Sequence, residues 1–258
     1  MLLTGDYHTH TKYSHGKGTI LDNAVAAKNK GVKTVAITDH GFSHPAFGMS
    51  RRKVAQMQKD CNQAQVQTGV QVLLGMESNV LNIAGKTDYK PTDYDNFDIF
   101  LAGFHRFVMA SPKAYMQLLL PNEIYRKLKI KVPKYVVKDT TKAYINVIKN
   151  NPVDIITHLN FCVAADVVEV AKCCADYGTY LELNSKKIHL TDEELFKVSQ
   201  TGVRFVIDSD AHSSDRVGDT LRVEEQLSRV DFPMQLIDNI EDRTPNFRFN
   251  RFKNKGEL

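Results

Sequence analysis

Short apolar runs rich in β-branched residues recur along the chain. Each is followed by a longer stretch whose apolar positions return every three or four residues. The short runs fall at residues 2–7, 33–37, 71–75, 99–102, 154–156, 179–183 and 204–207, and each reads as a strand. The longer stretches predict helices from near Thr19 to just before Gly31, and over 51–68, 140–150, 164–177 and 192–200. Gly31 suits the left-handed position that ends a helix. Thr191, followed by Asp192, Glu193 and Glu194, has the capping residue and first-turn acids of a helix start.

Strands alternating with helices in this way predict a parallel sheet in an α/β fold. No G-x-G-x-x-G or P-loop follows any run, which removes the usual mark of the nucleotide-binding open sheets. A distorted TIM-like (βα)7 barrel is the preferred reading. No internal repeat, low-complexity segment or linker divides the chain, so one domain over 1–258 is expected. Two stretches leave the rhythm. Residues 112–138 form a long connection rich in Lys and Arg, and residues 243–258 form a polar, basic tail in which Phe247 and Phe252 could pin the segment to the body. Both are expected to be solvated basic surface.

Composition adds limits. Hydrophobic residues at 42% and charged residues at 25% are ordinary for a globular protein of 258 residues, which can bury a core without disulfides or structural metals. The net charge of +4 falls short of a dedicated nucleic-acid binder. Cys61, Cys162, Cys173 and Cys174 give no C-x-x-C spacing. With no signal-like start and no apolar run near the ~20 residues that cross a bilayer, the expected setting is cytoplasmic, with no membrane partner.

The chemistry lies in where the histidines fall. Of nine, seven stand at or just past the predicted strand ends: His8, His10 and His15 after the first, His40 after the second, His105 after the fourth, His158 after the fifth and His212 after the seventh. Glu77 ends the third strand and Asp210 the seventh. In a barrel the C-terminal strand ends form one face, and that face carries the active site. His8 and His10 share one side of an extended strand because side chains alternate. Imidazoles and carboxylates suit zinc, manganese or iron, and nine such groups exceed one four-coordinate ion, so two or three divalent ions are expected. A lone histidine is better read as a hydrogen-bonded core residue; the repetition at strand ends is what argues for metals. His44 and His189 lack the pattern and are expected at the surface. Asp39, before His40, is expected to orient a ligand, with proton transfer the weaker reading.

At these residues the chain resembles the PHP (polymerase and histidinol phosphatase) family. The matching stretches are 6–11, 36–41, 75–77, 102–105, 157–158, 181–184 and 208–212, in order along nearly the whole chain, and the small stand-alone bacterial members are most similar. The resemblance implies a (βα)7 barrel with three metals. His8, His10, Glu77 and Asp210 would hold one; Glu77 would bridge to a second held by His105 and His158; His15, His40 and His212 would hold the third.

The expectation is therefore a metal-dependent phosphoesterase acting on a small phosphomonoester, histidinol phosphate among the candidates, through metal-activated water. Arg106 and Arg216 are candidates for gripping phosphate, with surface salt bridging the bland alternative. A nuclease or phosphodiesterase would use the basic segment 126–142 to guide a polyanion. An amidohydrolase-type barrel cleaving C–N bonds also places His-x-His after its first strand, but Glu77, His15 and His40 disfavour it. A scaffold with structural metals is disfavoured because structural sites tend to be closed four-ligand sets.

Overall fold

A computed structural model describes residues 1–255. Seven parallel strands form one sheet in chain order: β1 (Gly5–Thr9), β2 (Thr34–Ile37), β3 (Gln71–Asn79), β4 (Ile99–Gly103), β5 (Ile155–Ile156), β6 (Tyr180–Asn184) and β7 (Phe205–Asp208). Between them run α1 (Ile20–Asn29), α2 (Val54–Thr68), α3 (Pro112–Ala114), α4 (Leu120–Leu128), α5 (Lys134–Asn150), α6 (Val167–Tyr177) and α7 (Asp192–Ser199); α8 (Leu221–Leu227) and α9 (Arg248–Lys255) follow β7. Capping fixes several starts. Thr19 with Asp22 opens α1 and Thr191 with Glu194 opens α7, each as a reciprocal capping box. Asp166 caps α6 through the backbone N–H groups of Val168 and Glu169.

Strand alternation separates two apolar sets. Val35, Ile37, Phe100, Ile156, Leu181, Phe205 and Ile207 pack with the helices in the main core. Tyr7, Ala36, Ile99, Leu101, Ile155, Tyr180 and Val206 form a second, smaller cluster, the filling of the barrel. A bulge in β1 serves this arrangement. Asp6 pairs with Val35 and Thr9 with Ile37, so Tyr7 and His8 together oppose Ala36. One bulged strand thus supplies both a plug residue and a site residue.

Side chains finish the closure between β1 and β7, where the backbone contributes only the Thr9–Ala211 bridge and its bond from His10 N–H to the Ala211 carbonyl (2.8 Å). Asn239 accepts from Ile207 N–H (2.9 Å) and donates to the carbonyls of Gly5 (2.8 Å) and Ile207 (2.6 Å). Asp208 accepts from Tyr7 N–H at 2.7 Å, and Asp6 accepts from the Ser209 N–H, the Ser209 hydroxyl and Gly218 N–H. Asn239→Ala would leave three buried backbone groups unpaired. It is expected to cost about 3 kcal/mol, seen as a lower urea midpoint at unchanged slope. An unaltered midpoint would show that the seam does not depend on this amide.

The connection over 112–138 is helical rather than irregular: α3, a π-helical turn (Tyr115–Leu119), α4 and the start of α5. The tail departs from the expected solvated surface. Phe247 packs edge-on to Tyr7 (4.8 Å) and Tyr180 (5.8 Å), as anticipated, and Phe252 lies 5.8 Å from Tyr94. Phe249 is fully buried, and its N–H donates to Asp154, just before β5. The tail therefore seals the N-terminal end of the barrel, because its phenylalanines gain from burial, and Arg248, buried with them, is satisfied by donating to the Ile148 carbonyl (2.7 Å). No helix among the described residues is long and apolar enough to cross a membrane.

Candidate metal centre

Two residues beyond the barrel filling, the same strand faces turn polar: Thr157 follows Ile155, Glu182 follows Tyr180 and Asp208 follows Val206. β3 runs on past Gly75, so Glu77 stands within the strand and projects into this basin. All nine residues expected as ligands meet there. His10, His40 and His212 bring ligand atoms within 4.8 Å of one another, as do His8, His10 and Asp210, and His40, Glu77 and His105. His158 Nε2 lies 2.5 Å from Glu77 Oε1, and the His15 ring stacks on His40 at 4.8 Å, with His212 at 4.3 Å. His10, rather than His15, shares a group with His40 and His212.

The backbone is strained to achieve this. His158 and Asp210 adopt φ of 28° and 47°, left-handed values that cost roughly 1–3 kcal/mol each for a side chain of this kind. Gly103 makes room: a Cβ there would collide with the Thr157 hydroxyl and sit 2.9 Å from His158 Cε1.

Electrostatics divide the group. Burial pushes His10 and His40 down, His40 to about 3, and His15 falls to about 4, again chiefly through burial. These rings are neutral at physiological pH and present lone pairs. His8 goes the other way, since Glu77, Glu182 and Asp210 outweigh the effect of its burial. Burial raises Glu77 and Asp210, but the surrounding histidines reverse this and hold both well below the ordinary carboxylate range.

The residues fit divalent metal. Buried Nδ1 atoms of His10, His40 and His158, Nε2 of His105 and Oε2 of Glu77 have no hydrogen-bond partner. His40 Nδ1 is 2.8 Å from Glu77 Oε2 without the angles of a hydrogen bond. Buried polar atoms are rarely left so, and two of them, His40 Nδ1 and His105 Nε2, lie 2.8 and 2.9 Å from the Glu77 carboxylate. A cation held there would satisfy these three groups together.

Several residues that hold this arrangement carry no histidine signal and escaped the sequence reading. Glu182 Oε1 takes His8 Nδ1 at 2.5 Å, turning Nε2 toward the basin, while Oε2 accepts the strained His158 N–H at 2.6 Å. Asn79 Oδ1 takes His105 Nδ1 at 2.8 Å, and its amide is oriented by donating to Asp88 at 2.7 Å. Such partners fix the tautomer of a ligand. Alternation from Tyr180 was the available sign for Glu182. Glu182→Gln replaces one of two needed acceptors with a donor, and is expected to weaken metal binding and turnover by roughly 10–100-fold. Unchanged metal content in this variant would reject that role.

Asp39 is buried and pushed up to about 6, by burial against bonds from Ser14 and Thr11. It accepts from Thr11 N–H (2.8 Å), the Thr11 hydroxyl (2.7 Å) and Ser14, so it braces the turn between His10 and His15. His44 and His189, expected at the surface, instead line the cleft above the basin, His44 stacked on His40 and His189 beside His158. Arg106 lines the cleft too, its guanidinium 5.6 Å from the Phe161 ring centre. Arg216 pairs with Asp219 (2.8 Å) and reaches the Ser185 carbonyl, away from the cleft wall. Lys186, unremarked in the sequence, stands 3.3 Å from Asp210 and 3.0 Å from His212 Nδ1.

A barrel whose functional face gathers this many neutral imidazoles around two deprotonated carboxylates defines the metal-dependent hydrolases as its class. The PHP domain model matches residues 6–186, and the chain belongs to the PHP domain family. It is similar to a probable phosphatase of Proteus mirabilis, 31% identical over 92% of this chain and 90% of the relative. A probable phosphatase of a Shewanella species is likewise 31% identical, over 97% and 92%. In fold it is similar to a histidinol phosphate phosphatase from Lactococcus lactis, solved with zinc, L-histidinol and phosphate (TM-score 0.59, 15% identity, 90% of this chain and 95% of that one). Within its family the chain is a metal-dependent phosphoesterase.

Proposed function

We propose that this chain, as a single catalytic domain, hydrolyses a small phosphomonoester, with two or three divalent ions held by His8, His10, His15, His40, Glu77, His105, His158, Asp210 and His212. The observation that carries the reading is the cleft itself: about 250 Å³, lined by seven of those residues (His15, His40, Glu77, His105, His158, Asp210 and His212) and rimmed by cations and aromatic rings. That is just below the usual range for drug-sized ligands and suits a phosphate with a modest organic group. Zinc, manganese or iron held there would supply Lewis acidity toward phosphoryl oxygens and acidify water.

The chain's own residues do the rest. Glu182 and Asn79 hold His8 and His105 in the tautomers that face the floor. Asp39 fixes the turn that carries His10 and His15. Arg106 and Lys186 place positive charge on the cleft wall, where a phosphate dianion enters. Phe47, Phe107 and Phe161 give the organic part an apolar seat. Histidinol phosphate fits this description, and the Lactococcus lactis protein of like fold binds L-histidinol and phosphate. A phosphodiester of nucleic acid would use the same floor and the basic segment 126–142 as a guide.

A panel of monoesters and diesters separates the two. Monoesters are expected to be the better substrates, with Arg106→Ala and Lys186→Ala each raising KM about tenfold and Arg216→Ala changing it less than about twofold. Faster cleavage of a diester than of any monoester, falling steeply with salt, would replace this reading with the nuclease one.

A further inference from the structure

The basic charge of this protein is gathered in two stretches, the tail 243–258, with five basic residues and one acidic, and the larger excess over 112–138. Residues 112–138 carry seven basic residues and one acidic one, a net +6, while the remaining chain has 27 basic and 29 acidic residues, a net −2. The same segment carries unburied apolar surface. On α4, Leu120, Ile124 and Leu128 fall at four-residue spacing along one side, and Met116 precedes them by four more. Met116, Ile124, Leu128 and the following Ile130 are 60%, 44%, 62% and 53% exposed.

The helix is mounted the wrong way round for a soluble protein. Its one buried side chain is the polar Asn122, which donates to the Leu118 carbonyl and Thr140 and accepts from Ala164 N–H. An amphipathic helix of a globular protein normally turns its apolar stripe inward. Here the body grips the polar side and the apolar row is left exposed, in a segment whose Lys113, Lys127, Lys129, Lys131 and Lys134 are exposed too, Lys127 beside Glu123 at 3.0 Å. An exposed row of this kind marks a surface that something covers.

We propose that α4 and the loop that follows it dock on an anionic lipid bilayer, the aliphatic row entering the headgroup boundary and the flanking lysines meeting lipid phosphates. Charge decides against the other occupants. A second copy set stripe to stripe would bring two +6 segments together. A nucleic acid would meet the lysines but leave the row idle, because bases stack on aromatic rings and this row is aliphatic. An amphipathic helix with four to eight cations satisfies both requirements of an anionic membrane surface. A chain without a spanning helix can bind there reversibly, which revises the expectation that no membrane takes part. Arg106 and Phe107 wall both the cleft and the small cavity under α4 with Tyr115 and Arg126, so docking would set the cleft mouth beside the bilayer.

Cosedimentation of the full chain with vesicles tests this. Vesicles of phosphatidylcholine containing about a third phosphatidylglycerol are expected to bind the protein at low salt, and phosphatidylcholine alone is not. Ile124→Asp with Leu128→Asp, and separately Lys127→Glu with Lys131→Glu, should each weaken binding at least about tenfold, leaving hydrolysis of a soluble phosphomonoester unchanged. These side chains are exposed, so the fold should tolerate the changes, and circular dichroism checks it. Three results would overturn the proposal: no binding to anionic vesicles, binding indifferent to the Asp substitutions, or tighter binding to a single-stranded oligonucleotide than to vesicles. A dimer in solution that the Asp substitutions dissolve would also overturn it, in favour of a second copy. Hydrolysis of the soluble substrate stands apart from all four, so failure here leaves the phosphoesterase reading intact.

Discussion

Glu77→Gln is expected to lower kcat/KM by at least about a thousandfold, roughly 4 kcal/mol of transition-state stabilisation. Glu77 sits at the middle of the basin. Its Oε1 is 2.9 Å from His105 Nε2 and 2.5 Å from His158 Nε2, and its Oε2 is 3.3 Å from His8 Nε2 and 2.8 Å from His40 Nδ1. No other carboxylate in the centre reaches so many of the rings. Glutamine keeps the volume but removes the charge, and it turns an N–H2 toward ring nitrogens whose lone pairs are wanted elsewhere. The loss should fall mainly on kcat and on metal content, with far-ultraviolet circular dichroism unchanged. A variant that kept its metals and worked within tenfold of the parent would show that Glu77 does not bridge the site.

Removal of metal is expected to have the second large effect. Excess chelator should abolish hydrolysis, and zinc or manganese should restore it. Stability should fall as well. Without a cation, buried atoms of His10, His40, His105, His158 and Glu77 stay without a partner. An ion present at 100–1,000 times its dissociation constant stabilises the fold by about 3–4 kcal/mol. For a chain of this size that corresponds to roughly 5–15 °C in melting temperature. Full activity in excess chelator would sink the metal-dependent reading at its root. Lost activity with an unmoved melting temperature would instead show that the apo basin relaxes without cost.

Much of this was legible along the chain. Every predicted strand exists; β1 begins at Gly5 rather than at residue 2, and β1 and β3 both run further toward the site than the apolar runs suggested. Hydrophobic pattern marks where a strand is buried, and it fades where the strand turns polar to serve the basin. That is why Glu77 and His8 lie inside strands whose predicted ends fell before them. The helices over 112–138 were missed although α4 carries Leu120, Ile124 and Leu128 at four-residue spacing, because Pro121 and the crowded cations made the stretch read as a solvated connection. In the tail, Phe249 was lost among arginines, because no local pattern shows that the open end of a barrel will receive it.

The sequence by itself determined the parallel α/β barrel and the nine candidate ligands. Alternation and strand ends are local properties, and topology carries every strand end to one face. It could not determine which other side chains join that face. His44, His189 and Lys186 reach the cleft from loops, Glu182 and Asn79 reach the ligands from strands, and Asp88 holds Asn79 in place. Their roles exist only as distances between residues remote in sequence. Tertiary structure also decided Arg216, whose guanidinium went to Asp219 instead of the cleft. Ligand identity follows from residue type and backbone position, which a sequence records; orientation and pairing follow from through-space geometry, which only the folded chain creates.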